Sequence, residues 1–353
     1  MLAIVLAAAA TYDAYWNSPW PSRCLEHTPA DALTKFGISA NANNTFNGDS
    51  VSTLYNHPGE MTIGSWPCID GSTGAEYNGG IPQLGNLSLH LAKVKRDVEA
   101  AFPDPAHSGL IVIDWEEWEP WFDFFPDPAP AHRWTYYMNR SYAHAGGDKA
   151  LAIAQWNRSS LLFMAETLKA VVALRPQAKV GYYGMVNCGA DVVQHGYTCP
   201  ADIKARHDAL APLWAAGTAL FPSIYSSCLY TNATGSAPAR CVDGSHVELK
   251  IPLTLAETAR VNRAGLPVIA FTWYTLYNAQ CAHPPPKGLG HCPLMRNATD
   301  LKNEFALAKG AAGVDGIIVW GSSSDVRTHS SDCTLFGEYF EETLGPLLQG
   351  LVD

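Results

Sequence analysis

Two carboxylates at the end of one apolar run are the groups in this chain best placed to do chemistry. In Gly109-Leu110-Ile111-Val112-Ile113-Asp114-Trp115-Glu116-Glu117-Trp118-Glu119-Pro120, a branched apolar stretch stops abruptly in acids and tryptophans. Leu110 to Ile113 has the short, Val/Ile-rich, non-alternating form of a buried parallel strand. Strand side chains alternate faces, so Asp114 and Glu116 project together while Trp115 and Glu117 project to the other side. Two acids side by side raise one another's pKa, and flanking indoles add desolvation. Such a pair can keep a proton near neutrality and donate it. The indole faces are also platforms for sugar rings. A lone Asp-x-Glu is equally compatible with solvated or salt-bridged acids at a strand end, so the surrounding elements have to decide.

Those elements alternate. Strand-like runs at 12–17, 36–39, 51–55, 110–114, 180–183, 219–225, 267–273 and 316–320 are interleaved with helical periodicity. The helical patterns fall at 86–101, 150–174, 203–216, 246–263, 301–312 and 335–348. Residues 57–80, rich in Gly, Pro and Ser, read as a long surface loop, and 118–133 as an aromatic, proline-rich excursion. Strand–helix alternation over most of a chain predicts one α/β domain with a parallel sheet. About eight such strands, with no Gly-x-Gly-x-x-Gly after the first, favour a distorted TIM-like (β/α) barrel over an open nucleotide-binding sheet. Barrel active sites lie at the C-terminal strand ends. Asp114 with Glu116, Tyr183, Tyr225, Trp273 and Trp320 all fall at such ends, which is harder to dismiss than one acid pair.

Composition narrows the partners. The 353 residues are 47% hydrophobic and 16% charged, as in a globular protein, and include eleven tryptophans that suit an aromatic-lined cleft. The formal net charge of −10 argues against nucleic acid. A polyanionic substrate would need a locally basic groove or an acidic medium. Residues 1–10 are apolar and end in small side chains, the form of a signal peptide, which leaves 11–353 as a single catalytic domain. Asn-x-Ser/Thr sequons at Asn43, Asn86, Asn139, Asn157, Asn232 and Asn297 agree with a secretory route, to the outside or to a lysosome. Nine cysteines without a Cys-x-x-Cys point to an oxidising compartment and to no metal site. No later apolar segment is long enough to span a bilayer.

With these residues in view, the chain resembles the animal-type hyaluronidases, a glycoside hydrolase family. The resemblance is carried by Tyr15-Trp16-Asn17, Asn78-Gly79-Gly80-Ile81-Pro82-Gln83, Ile113-Asp114-Trp115-Glu116 with Trp118 and Pro120, and Leu174-Arg175-Pro176. It continues through Gly181-Tyr182-Tyr183-Gly184, Phe221-Pro222-Ser223-Ile224-Tyr225 and Val319-Trp320-Gly321-Ser322-Ser323. It implies a distorted (β/α) barrel, endo-hydrolysis of β-1,4 bonds at N-acetylhexosamine in hyaluronan with chondroitin as a secondary substrate, and no cofactor. In that reading Glu116 is the general acid, and Asp114 orients the substrate's acetamido group, whose oxygen is the nucleophile. Tyr183, Tyr225 and Trp320 line the cleft, with Tyr55 a weaker member of it. Trp16, Trp115 and Trp118 are assigned to packing, and Glu117 and Glu119 to the rim.

The resemblance also implies disulfides Cys24–Cys333 and Cys188–Cys199. Proximity in the chain suggests Cys228–Cys241 and Cys281–Cys292, leaving Cys68 unpaired. Three departures stand out. Glu119 occupies a place where the family often has arginine, Met185-Val186-Asn187 follows the Gly-Tyr-Tyr-Gly strand in place of a more aromatic stretch, and the tail stops before any EGF-like cysteine-rich module. They bear on the polymer more than on the chemistry. The competing class is a secreted carbohydrate-binding barrel without turnover, which has no need of the acid pair. A chitinase-like barrel is disfavoured because its spaced-aspartate motif is missing.

Overall fold

The computed structural model describes residues 12–29, 31–56, 62–122, 134–188, 198–225, 247–275, 295–322, 325 and 330–352. In chain order its strands are β1 (Asp13–Asn17), β2 (Val51–Tyr55), β3 (Cys68–Ile69), β4 (Glu76–Tyr77), β5 (Leu110–Asp114), β6 (Lys179–Tyr182), β7 (Ile269–Trp273) and β8 (Gly316–Trp320). The helices are α1 (Leu87–Ala101), α2 (Trp134–His144), α3 (Lys149–Leu174), α4 (Ala201–Ala209), α5 (Ala211–Ala216), α6 (Val247–Val261), α7 (Ala298–Gly310), α8 (Ser330–Tyr339) and α9 (Gly345–Val352). Branched apolar runs buried on both faces pair in parallel, because helices cover their outer side.

Two three-stranded parallel ladders result, in the orders β1-β8-β7 and β2-β5-β6. Single parallel bridges join them: Tyr183 to Phe221, Leu220 to Val268 and Ser223 to Phe271 on one side, and Tyr15 to Ser39 on the other. Side chains complete the circuit between β1 and β2. Asn41 Oδ1 accepts from the Val51 N–H at 3.0 Å, its Nδ2 donates to the Val51 carbonyl at 2.8 Å, and Thr53 donates to Asn17 Oδ1 at 2.5 Å. This is a distorted (β/α) barrel whose backbone ladders do not close continuously among the described residues.

Period-two alternation sorts the strand residues. Val51, Leu110, Val112, Phe221, Ile269, Phe271 and Ile318 fill the barrel interior. Ile111, Ile113 and Val180 face outward against α1 and α3, and Ala14, Ile317 and Val319 against α7 and the C-terminal helices. Where strands come closest, only glycine fits: a Cβ on Gly181 would lie 2.4 Å from the Ala219 carbonyl oxygen. The longest helix, α3, is capped by Asp148, whose side chain accepts from the Leu151 N–H, and stops where Arg175 precedes Pro176. Its inner face buries Trp156, Phe163, Met164, Leu168 and Val171, each worth about 1.5–3 kcal/mol on burial.

Several sequence expectations shift. The run 36–39 is not a strand: a 3-10 turn, Thr34–Phe36, ends at Gly37 with φ 68°, leaving only the bridge at Ser39. In 219–225, Pro222 lacks the N–H a ladder needs, so the segment pairs only through isolated bridges. The stretch 57–80 is not a surface loop throughout. Ile63, Trp66 and Cys68 are fully buried, and β3 pairs with β4. Trp66 stacks on Trp115 with ring centroids 4.6 Å apart, so one large indole pulls the loop into the core. The pattern 203–216 breaks at Leu210 into α4 and α5, with Pro212 opening the second. Helix α2, whose start follows the proline-rich excursion, is amphipathic but lies outside the helical patterns named above, and 335–348 is part of a longer helical run from Ser330 with a π-turn at Phe340–Leu344.

Cys24 is bonded to Cys333, tying the turn after β1 to α8, and Cys188 to Cys199 across the segment between β6 and α4. Closing the first loop, whose ends are 309 positions apart, removes on the order of 5 kcal/mol of chain entropy from the unfolded state. Cys68 is unpaired and buried, and burial pushes its thiol up to about 12. Residues 1–10, Asn232 and Cys228, Cys241, Cys281 and Cys292 lie outside the described residues. Among the described residues no helix is long and apolar enough to cross a membrane.

Candidate active site

Asp114 ends β5 on its inward face, in the row of Leu110 and Val112, and its backbone partner across the ladder is Tyr55. It is 8% exposed, and its Oδ1 has no hydrogen-bond partner. Burial raises its pKa well above the ordinary 3.8, and the neighbouring Glu116 raises it further. Glu116, two residues on and past the strand end, is exposed and lines an open cleft of ≈ 910 Å³. The two acids thus occupy opposite environments: one is dry and reluctant to ionise, the other is at the water boundary. Trp115 and Trp118 point the other way and pack on Trp66 with Trp156 behind them. Glu117 is buried on that outer side, while Glu119 is half-buried and reaches the cleft.

The raised pKa of Asp114 has a consequence for stability. The folded state holds this proton more tightly than the unfolded chain does. Stability therefore falls as pH rises from near 3.8 through the raised value, and is flat above it. Asp114→Asn removes that fall. The variant is expected to melt above wild type at about pH 7, with the gap shrinking toward about pH 4. Thermal unfolding across that range reads it, and a pH-independent gap would mean Asp114 is not the group being titrated.

An aromatic ring of hydrogen bonds surrounds the acids. Tyr183 donates to Ser223 Oγ at 3.1 Å, its ring 5.8 Å from that of Tyr225. Burial keeps both phenols protonated far above their usual range, so each can serve as a donor. Trp320 donates its indole N–H to the Tyr55 hydroxyl at 2.6 Å, and burial likewise holds Tyr55 neutral. Trp273 packs edge-on against Trp320 at 4.8 Å and lies 5.6 Å from Tyr225. Its indole N–H is held by Asp325 Oδ2 at 2.6 Å. The structure thus brings Asp114, Tyr55, Tyr183, Tyr225 and Trp320 to one end of the barrel. Glu116, Tyr183 and Tyr225 face the cleft directly, whereas Tyr55 and Trp320 stand beside it on the barrel axis.

Arg206 on α4, Lys250 on α6 and His207, which the sequence did not single out, also line the cleft, as does Asn187. His207 Nδ1–H donates to Glu257 Oε1 at 2.8 Å, and its Nε2 accepts from the Asn187 N–H at 3.4 Å. Burial, outweighing Glu257, lowers the imidazole's pKa. Cys199 sulfur joins His207 and Glu257 within 4.8 Å, but it is bonded to Cys188. That leaves two donors, fewer than a zinc site uses. Nothing in the local sequence pattern marks Arg206 or Lys250, since both sit on helices with no special spacing to the acids.

Of the sequon asparagines described, Asn43, Asn86, Asn139 and Asn297 are exposed and Asn157 is half-buried. Asn86 and Asn297 cap α1 and α7, and Asn157 Oδ1 accepts from the Phe122 N–H.

Comparison with known proteins places this geometry in a family. A family model described as hyaluronidase, a group of glycoside hydrolases, matches residues 3–352. Hyaluronidase-1 of Homo sapiens is 31% identical over 345 residues, covering 94% of this chain and 71% of the human protein. The hyaluronidase of Polistes annularis is 28% identical over 341 residues, covering 95% and 86%. The crystal structure of bee venom hyaluronidase in complex with a hyaluronic acid tetramer superposes with a TM-score of 0.76 at 25% identity, covering 96% of this chain and 99% of that one.

Proposed function

Because the chain belongs to the hyaluronidase family of glycoside hydrolases, we propose that it cleaves hyaluronan internally at N-acetylhexosamine, with chondroitin as a secondary substrate. The observation that carries the reading is the buried, unpartnered Oδ1 of Asp114 beside the cleft-lining Glu116. An unpaired buried carboxylate oxygen is a costly arrangement unless a ligand supplies the donor. The N–H of a substrate acetamido group is such a donor. Its arrival favours ionised Asp114 and leaves the pair's proton to Glu116.

Glu116 then protonates the glycosidic oxygen as the bond to the anomeric carbon breaks. The acetamido oxygen, steered by Asp114 through the N–H, attacks that carbon from the other face and gives a cyclic oxazolinium. The leaving chain departs, and the Glu116 carboxylate takes a proton from the water that opens the ring. Two inversions give net retention. This differs from the two-carboxylate retaining scheme, in which a protein acid attacks from the opposite sugar face. Tyr183 and Tyr225 line the cleft beside the acids and hold the acetamido group in line with the anomeric carbon. The wall of Trp320 and Trp273 is an apolar platform for the sugar.

A secretory destination, outside the cell or lysosomal, is supported by the two disulfides, which persist in oxidising compartments. Reducing-end release from hyaluronan, chondroitin and chitin fragments tests the activity. Release from hyaluronan above both others, with retained anomeric configuration and inhibition by a thiazoline mimic of the oxazolinium, is expected. Binding without release would make the protein a carbohydrate-binding barrel. A covalent sugar trapped on Asp114, with no thiazoline inhibition, would replace the acetamido nucleophile by a protein one.

A further inference from the structure

Strand pairing sets two indoles side by side at the C-terminal end of the barrel. Trp273 and Trp320 are register partners at the ends of β7 and β8, each two residues beyond an interior side chain, Phe271 and Ile318. Period-two alternation therefore turns both inward. Their rings meet edge-on at 4.8 Å, and each lies near Tyr225, at 5.6 Å and 6.1 Å. Both are half-buried, so packing alone does not fix them. The Trp273 indole N–H donates to Asp325 Oδ2 at 2.6 Å. We infer that Asp325 is a positioning residue for the glycosidase site: through the Trp273 indole it fixes the face against which Trp320 and Tyr225 pack, and so the platform on which the sugar lies beside Asp114 and Glu116. This rests on the reading of that barrel end as a glycosidase site and adds a residue that stands behind the platform and does not line the cleft.

The anchor is itself held in place. The same Oδ2 accepts the Ser322 N–H at 2.7 Å, and the Asp325 N–H donates to the Ser322 carbonyl at 3.1 Å, which folds residue 325 back onto the end of β8. The Tyr274 hydroxyl also bonds the carboxyl, and it lies 3.1 Å from Ser18 Oγ, just after β1. Gly321 permits this close approach, because a Cβ there would collide with Ser18 Oγ and the Tyr274 hydroxyl. One carboxyl thus ties the ends of β7 and β8 to each other and, through Tyr274, to β1. Its partners among the described residues are neutral donors, and burial raises its pKa to about 6 against their pull.

A bend in the backbone can be closed by a neutral Ser or Asn side chain at less desolvation cost than by an acid. What the acid adds here is the bond to the indole, since an N–H donated to a carboxylate is short and about twice as strong as a neutral bond. Without that acceptor the Trp273 ring turns about its own side-chain torsions and Trp320 loses a fixed neighbour. A misplacement of about 1 Å around a reacting group costs about 10²-fold in rate. The loss therefore falls on kcat as well as on KM, although Asp325 is not a lining residue of the cleft.

The test measures kcat and KM on hyaluronan for Asp325→Ala, Asp325→Asn, Trp273→Phe and the double variant of Asp325→Ala with Trp273→Phe, while the proton resonance of the Trp273 indole N–H reports the bond. Asp325→Ala should lower kcat/KM by about 10–100-fold, with kcat itself reduced. Asp325→Asn keeps an oxygen for both N–H groups and should stay within about threefold of wild type. Trp273→Phe should lose as much as Asp325→Ala, and the double variant no more than either alone. The indole resonance, identified by its absence in Trp273→Phe, should move upfield in Asp325→Ala and much less in Asp325→Asn. Losses that multiply in the double variant, or an Asn variant as poor as the Ala one, would overturn the role. So would an Asp325→Ala protein that melts earlier yet keeps full kcat/KM in the cold. Full activity in Trp273→Phe overturns it whether or not Asp325→Ala folds. If wild type releases no reducing ends, the hyaluronidase reading fails, and the same set of variants compared for oligosaccharide affinity by calorimetry still decides the role of Asp325.

Discussion

Glu116→Gln is expected to lower turnover of hyaluronan by about 10²–10⁴-fold while the fold and oligosaccharide binding persist. Glu116 is exposed just past the end of β5, so an amide of the same shape fits in its place. Glutamine still hydrogen-bonds but cannot give a proton to the glycosidic oxygen. The loss should shrink on a substrate with a good aryloxide leaving group, which departs without protonation. Steady-state rates on both substrates, with calorimetry for binding, check this. An equal loss on the activated substrate would take the general-acid role away from Glu116, and near-wild-type activity on hyaluronan would remove it from the chemistry altogether.

The largest effect on stability is expected at a buried ion pair packed against β7. Arg296 Nη1 lies 2.7 Å from Glu304 Oε2, and both side chains are 0% exposed. Thr272 on β7 donates to Glu304, and Arg296 donates to the Trp273 carbonyl at 3.3 Å. Burial pushes the Glu304 carboxyl up even with the guanidinium alongside. Removing the cation alone strands that acid in the core. Arg296→Met should cost about 3–5 kcal/mol in urea unfolding, while the double change Arg296→Met, Glu304→Leu should recover most of it. If the double variant were as unstable as the single one, the loss would come from packing at the end of β7 and not from an orphaned charge. Because Trp273 belongs to the aromatic wall, the single variant is also expected to lose activity ahead of global unfolding.

Much of the barrel was legible because its strands announce themselves locally. The runs 51–55, 110–114 and 316–320 coincide with β2, β5 and β8, since a stretch of branched apolar residues bounded by polar turns has few alternatives to a buried strand. Segments whose conformation depends on partners were read less well. Pro222 left 219–225 with bridges only, and Trp66 drew a Gly/Pro-rich stretch into the core that its composition assigned to the surface. Helix α2 has a helical period, but it directly follows the aromatic, proline-rich excursion, and its Tyr137 and neighbours pack on β3 and α3.

For the site, period-two alternation turns Asp114 to the inner face of β5 with Leu110 and Val112, whereas Glu116 lies past the strand end. Side-chain direction along a strand is a property of the backbone and needs no partner. What the sequence could not supply was the difference between the two acids. Burial decides that Asp114 is the dry, unpartnered carboxyl and Glu116 the one at the cleft, and burial is a sum over the whole barrel. The rest of the cleft lining is of the same kind. Arg206 and Lys250 are far apart in the chain and both line the cleft, on helices α4 and α6 that His207, Glu257, Asp208 and Arg260 tie together. Electrostatic fields act through space, so the charge balance of the cleft is set by the tertiary structure and not by the net charge of the chain.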